Sequence, residues 1–240
     1  MKSMQRKLAT LIAASHSSYL HYHAPRYRAL LSILFDYYED GFKLLDVGNS
    51  PSTEILSEIL DCQIDVIGLK PDKTLPFGQQ YQFDLNQSQF RPNWRSDIGA
   101  YDIIIFTEVL EHLHTSPSLV LDYLSSLLKD GGIMILQTPN AVVLHKRFQM
   151  LFGLNPYMLI NEDASNPGHF REYTMAELTA YAQKARFTCL EKTFTNYFDY
   201  RYDGSSESQS NPRNGYRLIN LLYALAPPSW KPGISMILQK

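Results

Sequence analysis

Residues 101–113, YDIIIFTEVLEHL, contain an apolar run followed by two glutamates and a histidine. Within the run, Ile103, Ile104 and Ile105 show no alternation with polar residues, which is typical of a strand covered by helices on both faces. The acidic residues and the histidine begin where this strand is expected to end. We therefore predict a central strand over 101–106 with a polar group at its carboxyl end.

Strand-like and helical patterns alternate on both sides of this run. Further strands are predicted over 44–47, 64–69, 81–83, 133–136, 187–194 and 235–239, and helices over 53–60, 117–129 and 174–186. Ser116 and Pro117 are suited to the cap and first turn of the second helix, and Thr174 and Glu177 have capping-box spacing for the third. Such alternation predicts βαβ units and a doubly wound, parallel α/β sheet.

The alternation begins only after residue 40, which suggests two parts. Residues 1–40 are predicted to form an N-terminal helical arm or lid, and residues 41–240 the main domain. The arm is rich in tyrosine and histidine between Tyr19 and Tyr27. These side chains either cover a ligand pocket or pack as an aromatic helix face, and the sequence leaves both open.

Composition limits the classes of function. The chain has 240 residues, of which 45% are hydrophobic, and a formal net charge of −2, so it can bury a core and has no overall basic excess. A nucleic-acid or membrane partner is therefore not expected. Cys62 and Cys189 form no C-x-x-C pair. Since neither a signal peptide nor an apolar run of about 20 residues is present, a cytoplasmic protein is expected, with its oligomeric state open.

Polar residues follow several of the predicted strands. Because ligands of open α/β sheets bind beyond the carboxyl ends of the strands, these residues are expected to share one edge. They are Asp46, Gly48, Asn49 and Ser50 after the first strand, Asp84 and Leu85 after the third, and Thr107, Glu108, Glu111 and His112 after the fourth. Such an edge suits a cationic ligand that carries a ribose.

In their order and spacing these segments resemble the class I S-adenosylmethionine-dependent methyltransferases, from about Lys43 to Phe194. Four stretches carry the resemblance: Asp46-x-Gly48, 83–86, 101–113 and 127–132. The resemblance implies the Rossmann-like methyltransferase fold, a seven-stranded sheet that is mostly parallel with one antiparallel strand. It also implies transfer of a methyl group from S-adenosylmethionine, and we expect a small-molecule or sugar hydroxyl as the acceptor.

The resemblance also implies roles for individual residues of the Asp46-x-Gly48 motif and of the later strand ends. Gly48 would let the backbone approach the methionine part of the cofactor, with Asn49 and Ser50 lining the same loop. Asp84 would accept a hydrogen bond from the adenine amino group. Leu85 would pack on the adenine ring, and Thr107 would contact the cofactor through its backbone.

Two positions depart from the family pattern. Ser50 and Ser52 stand near places where the family usually has glycine, and Lys70 occupies the end of the second strand, where an acid usually binds the ribose hydroxyls. A lysine cannot accept those hydrogen bonds. These departures favour an alternative function, a non-catalytic ligand- or partner-binding domain on the same fold. The acidic edge after the third and fourth strands favours the enzyme.

Glu108, Glu111 and His112 are spaced i, i+3 and i+4, so we expect them on one face of a helical turn. Two carboxylates and an imidazole are able to hold a divalent cation such as Mg²⁺, Mn²⁺ or Zn²⁺. The motif is similar to Glu-x-x-Glu-His in small-RNA 2'-O-methyltransferases and quinone-biosynthesis O-methyltransferases, which implies a metal, with His169 as a fourth ligand. A metal-free turn with a structural or general-base role is the open alternative.

Overall fold

The computed structural model describes residues 2–48, 50–70, 78–163, 168–204 and 213–240. Within these residues, strands form a single seven-stranded sheet in the order β3-β2-β1-β4-β5-β7-β6. They are β1 (Leu44–Val47), β2 (Asp65–Gly68), β3 (Gln80–Gln82), β4 (Tyr101–Thr107), β5 (Leu128–Pro139), β6 (Thr188–Thr195) and β7 (Gly233–Gln239). Only β7 runs antiparallel to its neighbours. The predicted fold class is confirmed.

Helices cover both faces of the sheet. In the described ranges they are α1 (Lys2–Ala14), α2 (Ser18–Tyr37), α3 (Pro51–Leu60), α4 (Pro117–Ser126), α5 (Leu144–Leu151), α6 (Met175–Lys184) and α7 (Tyr216–Leu225). Short 3₁₀ turns span Leu85–Gln89, Arg91–Asn93, Leu110–His112 and Pro228–Trp230. The capping box predicted for α6 is present, since Thr174 accepts from the Glu177 amide and Glu177 accepts from the Thr174 amide.

The central strand β4 divides the core into two layers because successive residues of a strand face opposite sides. Ile103 and Ile105 pack with apolar residues of α1, α2 and α3. Ile104 and Phe106 pack on the other face with residues of α4 and α6. All four side chains are fully buried. The uninterrupted apolar run is therefore explained by a strand with no solvent-facing side.

Residues of the predicted arm contribute to this core. Leu30, Leu31 and Leu34 of α2 are buried against the same face as Ile103. Ser17 caps α2, where its side chain accepts a hydrogen bond from the backbone amide of Leu20 at 3.4 Å. The first helices thus cover one side of the sheet and reach its carboxyl edge.

Several predicted boundaries differ from the structure. The helix that begins at Pro117 ends at Ser126, earlier than predicted, because Leu128 pairs with Tyr101 and starts β5. The helices α5 and α7 were not predicted. No helix in the described ranges is both long enough and apolar enough to cross a membrane.

Two long connections lie at the carboxyl edge of the sheet. The first leaves β5 after Pro139, and the second leaves β6 after Thr195 and returns to β7 at Gly233. Gly233 is paired in register with both Pro139 and Thr195, so the ends of the two connections are neighbours. The described parts of these connections, residues 140–163, 168–174, 196–204 and 213–232, therefore leave from and return to the same edge as the loops after β1 and β4.

Candidate functional site

Gly48 forms the turn at the carboxyl end of β1. Its φ is +91°, and its amide donates to the carbonyl of Ile67 at 2.8 Å. A Cβ at this position would lie 3.0 Å from Cγ2 of Val109. The loop is therefore closed to larger residues and exposes backbone at the sheet edge. Ser50 follows at the start of α3, with its hydroxyl 2.5 Å from that of Ser52, and Asn49 lies outside the described residues.

Asp46 faces away from this open edge. Its carboxylate is buried and accepts a hydrogen bond from the hydroxyl of Thr53 in α3. Burial raises its pKa to about 7. The side chain of Asp46, predicted to bind the cofactor, therefore ties β1 to α3, because it points into the layer between strand and helix.

The segment after β3 contains Asp84 and Leu85. Oδ1 of Asp84 accepts from the amide of Asn86 at 2.9 Å and begins a 3₁₀ turn. Leu85, predicted to pack on adenine, is only 4% exposed and belongs to the core. Leu69, which directly follows β2 and was not predicted as a site residue, is 60% exposed. The apolar surface available at this part of the edge is therefore that of Leu69.

Glu108 follows Thr107 at the end of β4 and is held by a cation from the N-terminal arm. Its Oε2 lies 3.0 Å from Nη1 of Arg26 in α2, and both side chains are largely buried. Glu108 has a φ of +56°, and the 3₁₀ turn starts only at Leu110. The expected single helical face is therefore absent here. Burial raises the pKa of Glu108 against the opposing effect of Arg26.

Glu111 is the most buried carboxylate of the group, with no exposed surface. Its Oε2 accepts from the hydroxyl of Thr138 at 3.0 Å, and its Oε1 has no hydrogen-bond partner among the described residues. Burial raises the pKa of Glu111 well above its usual value. The carbonyl of Glu111 accepts from the amide of Phe170 at 2.8 Å. This bond attaches the segment that contains His169 to the turn after β4.

His112 and His169 lie side by side, with ring centroids 4.7 Å apart. Nδ1 of His112 is 2.9 Å from the carbonyl oxygen of Gly168, and since a carbonyl only accepts, this nitrogen carries the proton. Nδ1 of His169 is similarly 3.2 Å from Oε1 of Glu172. In both neutral rings Nε2 is therefore the nitrogen without a proton. Candidate ligand atoms of Glu111, His112 and His169 lie within 4.8 Å of one another.

Glu108, the other predicted metal ligand, is not part of this three-residue group in the described chain. Its carboxylate is directed to Arg26 instead. Behind His169, Glu172 also forms a buried ion pair with Lys146 of α5. Burial by itself would raise the pKa of Glu172, but the bonds from His169 and Lys146 hold this pKa below its usual value. Glu172 therefore acts as a charged support that fixes the ring of His169.

Two cavities are lined by residues of the two long connections. One, of about 710 Å³, is lined by residues 157–160 together with His169 and Glu172. The other, of about 800 Å³, lies between α5 and α7 and is also lined by Tyr22 of α2. Tyr22 is one helical turn before Arg26, so this cavity approaches the ion pair with Glu108. His169 of the histidine pair thus adjoins a space large enough for a small molecule, and the second cavity lies one helical turn from Arg26.

Sequence reasoning did not identify Arg26, Lys146 or Glu172 as parts of the site. A signal for Arg26 was present, since it falls at helical spacing with Leu30 and Leu34 on the buried face of α2. A cation in the middle of an apolar helix face needs a buried partner. Lys146 and Glu172 carried no comparable signal, because their pairing depends on how a long connection folds back.

Comparison with known proteins gives a consistent picture. Residues 19–192 match a family model described as "Methyltransferase domain". A SAM-dependent methyltransferase from Archaeoglobus fulgidus superposes with a TM-score of 0.56 and 15% identity, covering 89% of this chain and 92% of that chain. The N-methyltransferase NodS from Bradyrhizobium japonicum, in complex with S-adenosyl-L-homocysteine, gives 0.52 and 12%, covering 99% and 98%.

A third structure, an S-adenosylmethionine-dependent methyltransferase from Clostridium acetobutylicum, has a TM-score of 0.53 at 10% identity, covering 90% of this chain and 91% of that chain. At such identities the likeness to solved structures concerns the fold alone. No curated protein sequence matches the chain. The match to the family model spans most of the chain, from α2 through most of β6.

Proposed function

The chain belongs to the methyltransferase-domain family and is an S-adenosylmethionine-dependent enzyme, and from that premise we propose that it methylates a hydroxyl oxygen of a small molecule. The observation that carries the proposal is the group of buried Glu111 with partly buried His112 and His169, which lies after β4, with His169 lining one of the two cavities. Such a group is able to bind or deprotonate a hydroxyl. An uncharged amine nucleophile would not require such a group.

The charges at the edge fit S-adenosylmethionine. Its methionine part carries a carboxylate, an ammonium and a sulfonium. Arg26 is a buried cation at this edge, and Glu108 and Glu111 each retain one buried carboxylate oxygen without a hydrogen-bond partner among the described residues. A buried polar atom without a partner is unfavourable, and a cationic ligand relieves the deficit. We therefore assign Arg26 to the carboxylate of the cofactor and Glu108 to its cationic groups.

The backbone at Gly48 supports the same assignment. The loop is packed against Val109, and any Cβ would enter this contact. Asp84 keeps one carboxylate oxygen besides the Oδ1 that caps its turn, which suits the adenine amino group. Leu69 offers exposed apolar surface for the ring. Lys70 is exposed beside it and does not replace the missing acid, so ribose recognition is assigned to other groups of this edge.

The residues of this chain would perform the transfer chiefly by positioning. An in-line displacement at a sulfonium methyl needs a nucleophile held in line and freed of its proton. Gly168 fixes the His112 tautomer so that Nε2 has a free lone pair, and Glu172 does the same for His169. When no cation occupies the site, either Nε2 is able to accept the hydroxyl proton. The packed residues around Glu111 exclude water from this place.

Glu111, His112 and His169 also fit a divalent cation, because one carboxylate and two imidazoles with fixed outer hydrogen bonds are a common donor set. We propose these three residues as its ligands, while Glu108 remains in its ion pair with Arg26. The carboxylate favours Mg²⁺ or Mn²⁺, and the imidazoles favour Zn²⁺. When bound, such a cation would lower the pKa of a coordinated hydroxyl. The rival function, a non-catalytic binding domain, would need none of these groups.

Methyl transfer to oxygen is tested with ¹³C-methyl-labelled S-adenosylmethionine and a panel of phenols, sugars and amines of comparable size. We expect labelled product from hydroxyl acceptors, with a ¹³C shift typical of an O-methyl group. His112→Ala should lower the rate by about 10²–10⁴-fold, as expected for loss of a proton acceptor. His114→Ala is the control, since His114 is exposed two residues away. Label found only on amine nitrogens would contradict the proposed acceptor.

Metal binding is tested without an acceptor, by equilibrium dialysis of the protein against Mn²⁺ or Zn²⁺. We expect one bound ion per chain, removed by EDTA, and loss of this ion in Glu111→Ala and His169→Ala. His114→Ala should bind as the unchanged protein does. Both loss variants should still bind S-adenosylhomocysteine, because the cofactor is assigned to other residues. A chain that binds no cation would leave the histidine pair as the proton acceptor and would refute the metal site.

A further inference from the structure

The surface above the two cavities is unusually apolar. Thirteen of the nineteen large hydrophobic side chains that are exposed in the described residues lie in 148–160 or in α7. The most exposed are Leu151, Phe152, Leu159 and Leu225, at 76%, 79%, 84% and 77%. Large exposed apolar patches usually mark an interaction site, whereas single exposed residues do not. Because the exposed apolar side chains are concentrated in two segments, we expect this surface to contact a partner.

The two segments form one continuous face. Phe148 of α5 and Leu222 and Leu225 of α7 line the same cavity. Arg147 lies over the ring of Trp230, 5.3 Å from the ring centroid, and so joins the two connections at their base. Both connections leave the sheet at its carboxyl edge. We call this face, made of α5, residues 152–160 and α7, the apolar face.

The charged residues within the segments of the apolar face are basic, although the exposed Glu162 and Asp163 follow directly after the first segment. Residues 144–161 and 213–231 contain Lys146, Arg147, Arg213, Arg217 and Lys231 and no aspartate or glutamate. The whole chain, in contrast, has a net charge of −2. Lys146 is buried with Glu172, but Arg213 and Arg217 are exposed. Exposed leucine and phenylalanine bordered by arginine is the pattern of segments that lie in a bilayer surface.

We propose that the apolar face docks on the surface of an anionic lipid bilayer. The exposed leucine, methionine and phenylalanine side chains enter the boundary between headgroups and acyl chains, and Arg213, Arg217 and Lys231 contact lipid phosphates. Trp230 and Tyr157 belong to the residue types that favour the membrane interface. Docking on a second copy is disfavoured, because a symmetric contact would bring the same arginines together. The expectation of no membrane partner came from the composition of the whole chain. An average over the chain does not show that basic and apolar residues are concentrated in these two segments.

The proposal is tested by co-sedimentation of the whole protein with vesicles. One set is phosphatidylcholine alone, and the other replaces a third of it by phosphatidylglycerol. We expect clear binding to the anionic set and weak binding to the neutral set. Arg213→Gln with Arg217→Gln should weaken binding to the anionic vesicles about thirtyfold, at roughly 1 kcal/mol for each basic residue. Lys184→Gln, at an exposed lysine on α6, should have no effect.

The apolar contribution is tested with Phe152→Ser combined with Leu225→Ser, matched against Phe90→Ser, an exposed phenylalanine elsewhere. We expect the pair to abolish binding and the control to keep it. Absence of binding to both vesicle sets would overturn the proposal. So would a dimer in sedimentation velocity that the same pair of substitutions dissociates, since the face would then join two copies. The readout does not involve methyl transfer, so its failure would leave the proposed function intact.

Discussion

Replacing Arg26 by methionine is expected to lower the free energy of unfolding by about 3–5 kcal/mol, the usual cost of removing one partner of a buried ion pair. Glu108 would remain largely buried without its cation, close to the fully buried Glu111. The same change should abolish binding of S-adenosylhomocysteine, since Arg26 is assigned to the cofactor carboxylate. Urea unfolding measures the first effect, and titration calorimetry measures the second.

The control for this change is on the same helix. Arg28 is exposed two residues further along, so Arg28→Gln should change the stability by less than about 0.5 kcal/mol. Combining Arg26→Met with Glu108→Gln removes both charges and should restore part of the lost stability without restoring binding. If Arg26→Met were as stable as Arg28→Gln and bound S-adenosylhomocysteine normally, the ion pair would have no place in the site.

Replacing Gly48 by alanine is expected to reduce affinity for S-adenosylhomocysteine at least tenfold. The substituted residue would hold a φ of +91° and place its Cβ 3.0 Å from Val109. The left-handed conformation alone costs about 1–2 kcal/mol. To relieve the contact, the loop must move from the position in which its backbone faces the cofactor. Titration calorimetry of the unchanged protein and of Gly48→Ala with S-adenosylhomocysteine, at one temperature, measures the loss of affinity.

Substitution of Gly41 separates the effect of a strained backbone from that of the contact with Val109. Its φ is also +91°, but nothing lies within 4 Å of an added Cβ, and it precedes β1 at the opposite edge of the sheet. Gly41→Ala should therefore lose about 1–2 kcal/mol of stability and keep full cofactor affinity. Equal loss of affinity in the two variants would mean that general destabilisation, and not the loop at Gly48, limits binding.

The fold was predictable because its main signals are local. The apolar run of β4 has two buried faces, and Thr174 with Glu177 specifies the start of α6. The helices α5 and α7 were not predicted because they begin after Val143 and Gly215, neither of which has a capping side chain, and many of their apolar residues are exposed.

The candidate site was predictable in part. The sequence order placed Glu111 and His112 after β4, and the family resemblance pointed to His169, which the structure brings beside His112. What a strand pattern does not give is the direction of a side chain at a strand end. Asp46 therefore turned out to face α3, and Leu69 rather than Leu85 is exposed. Contacts between distant segments, such as Arg26 with Glu108, depend on the packed helices.

Titration calorimetry with S-adenosylmethionine and S-adenosylhomocysteine shows whether this edge of the sheet binds the cofactor. We expect both compounds to bind. We also expect that Asp84→Asn, which keeps an acceptor for the Asn86 amide but loses a carboxylate oxygen, binds about tenfold or more weakly with unchanged thermal stability. If neither compound binds at millimolar concentration while circular dichroism shows folded protein, the assignment of the cofactor to this edge is contradicted.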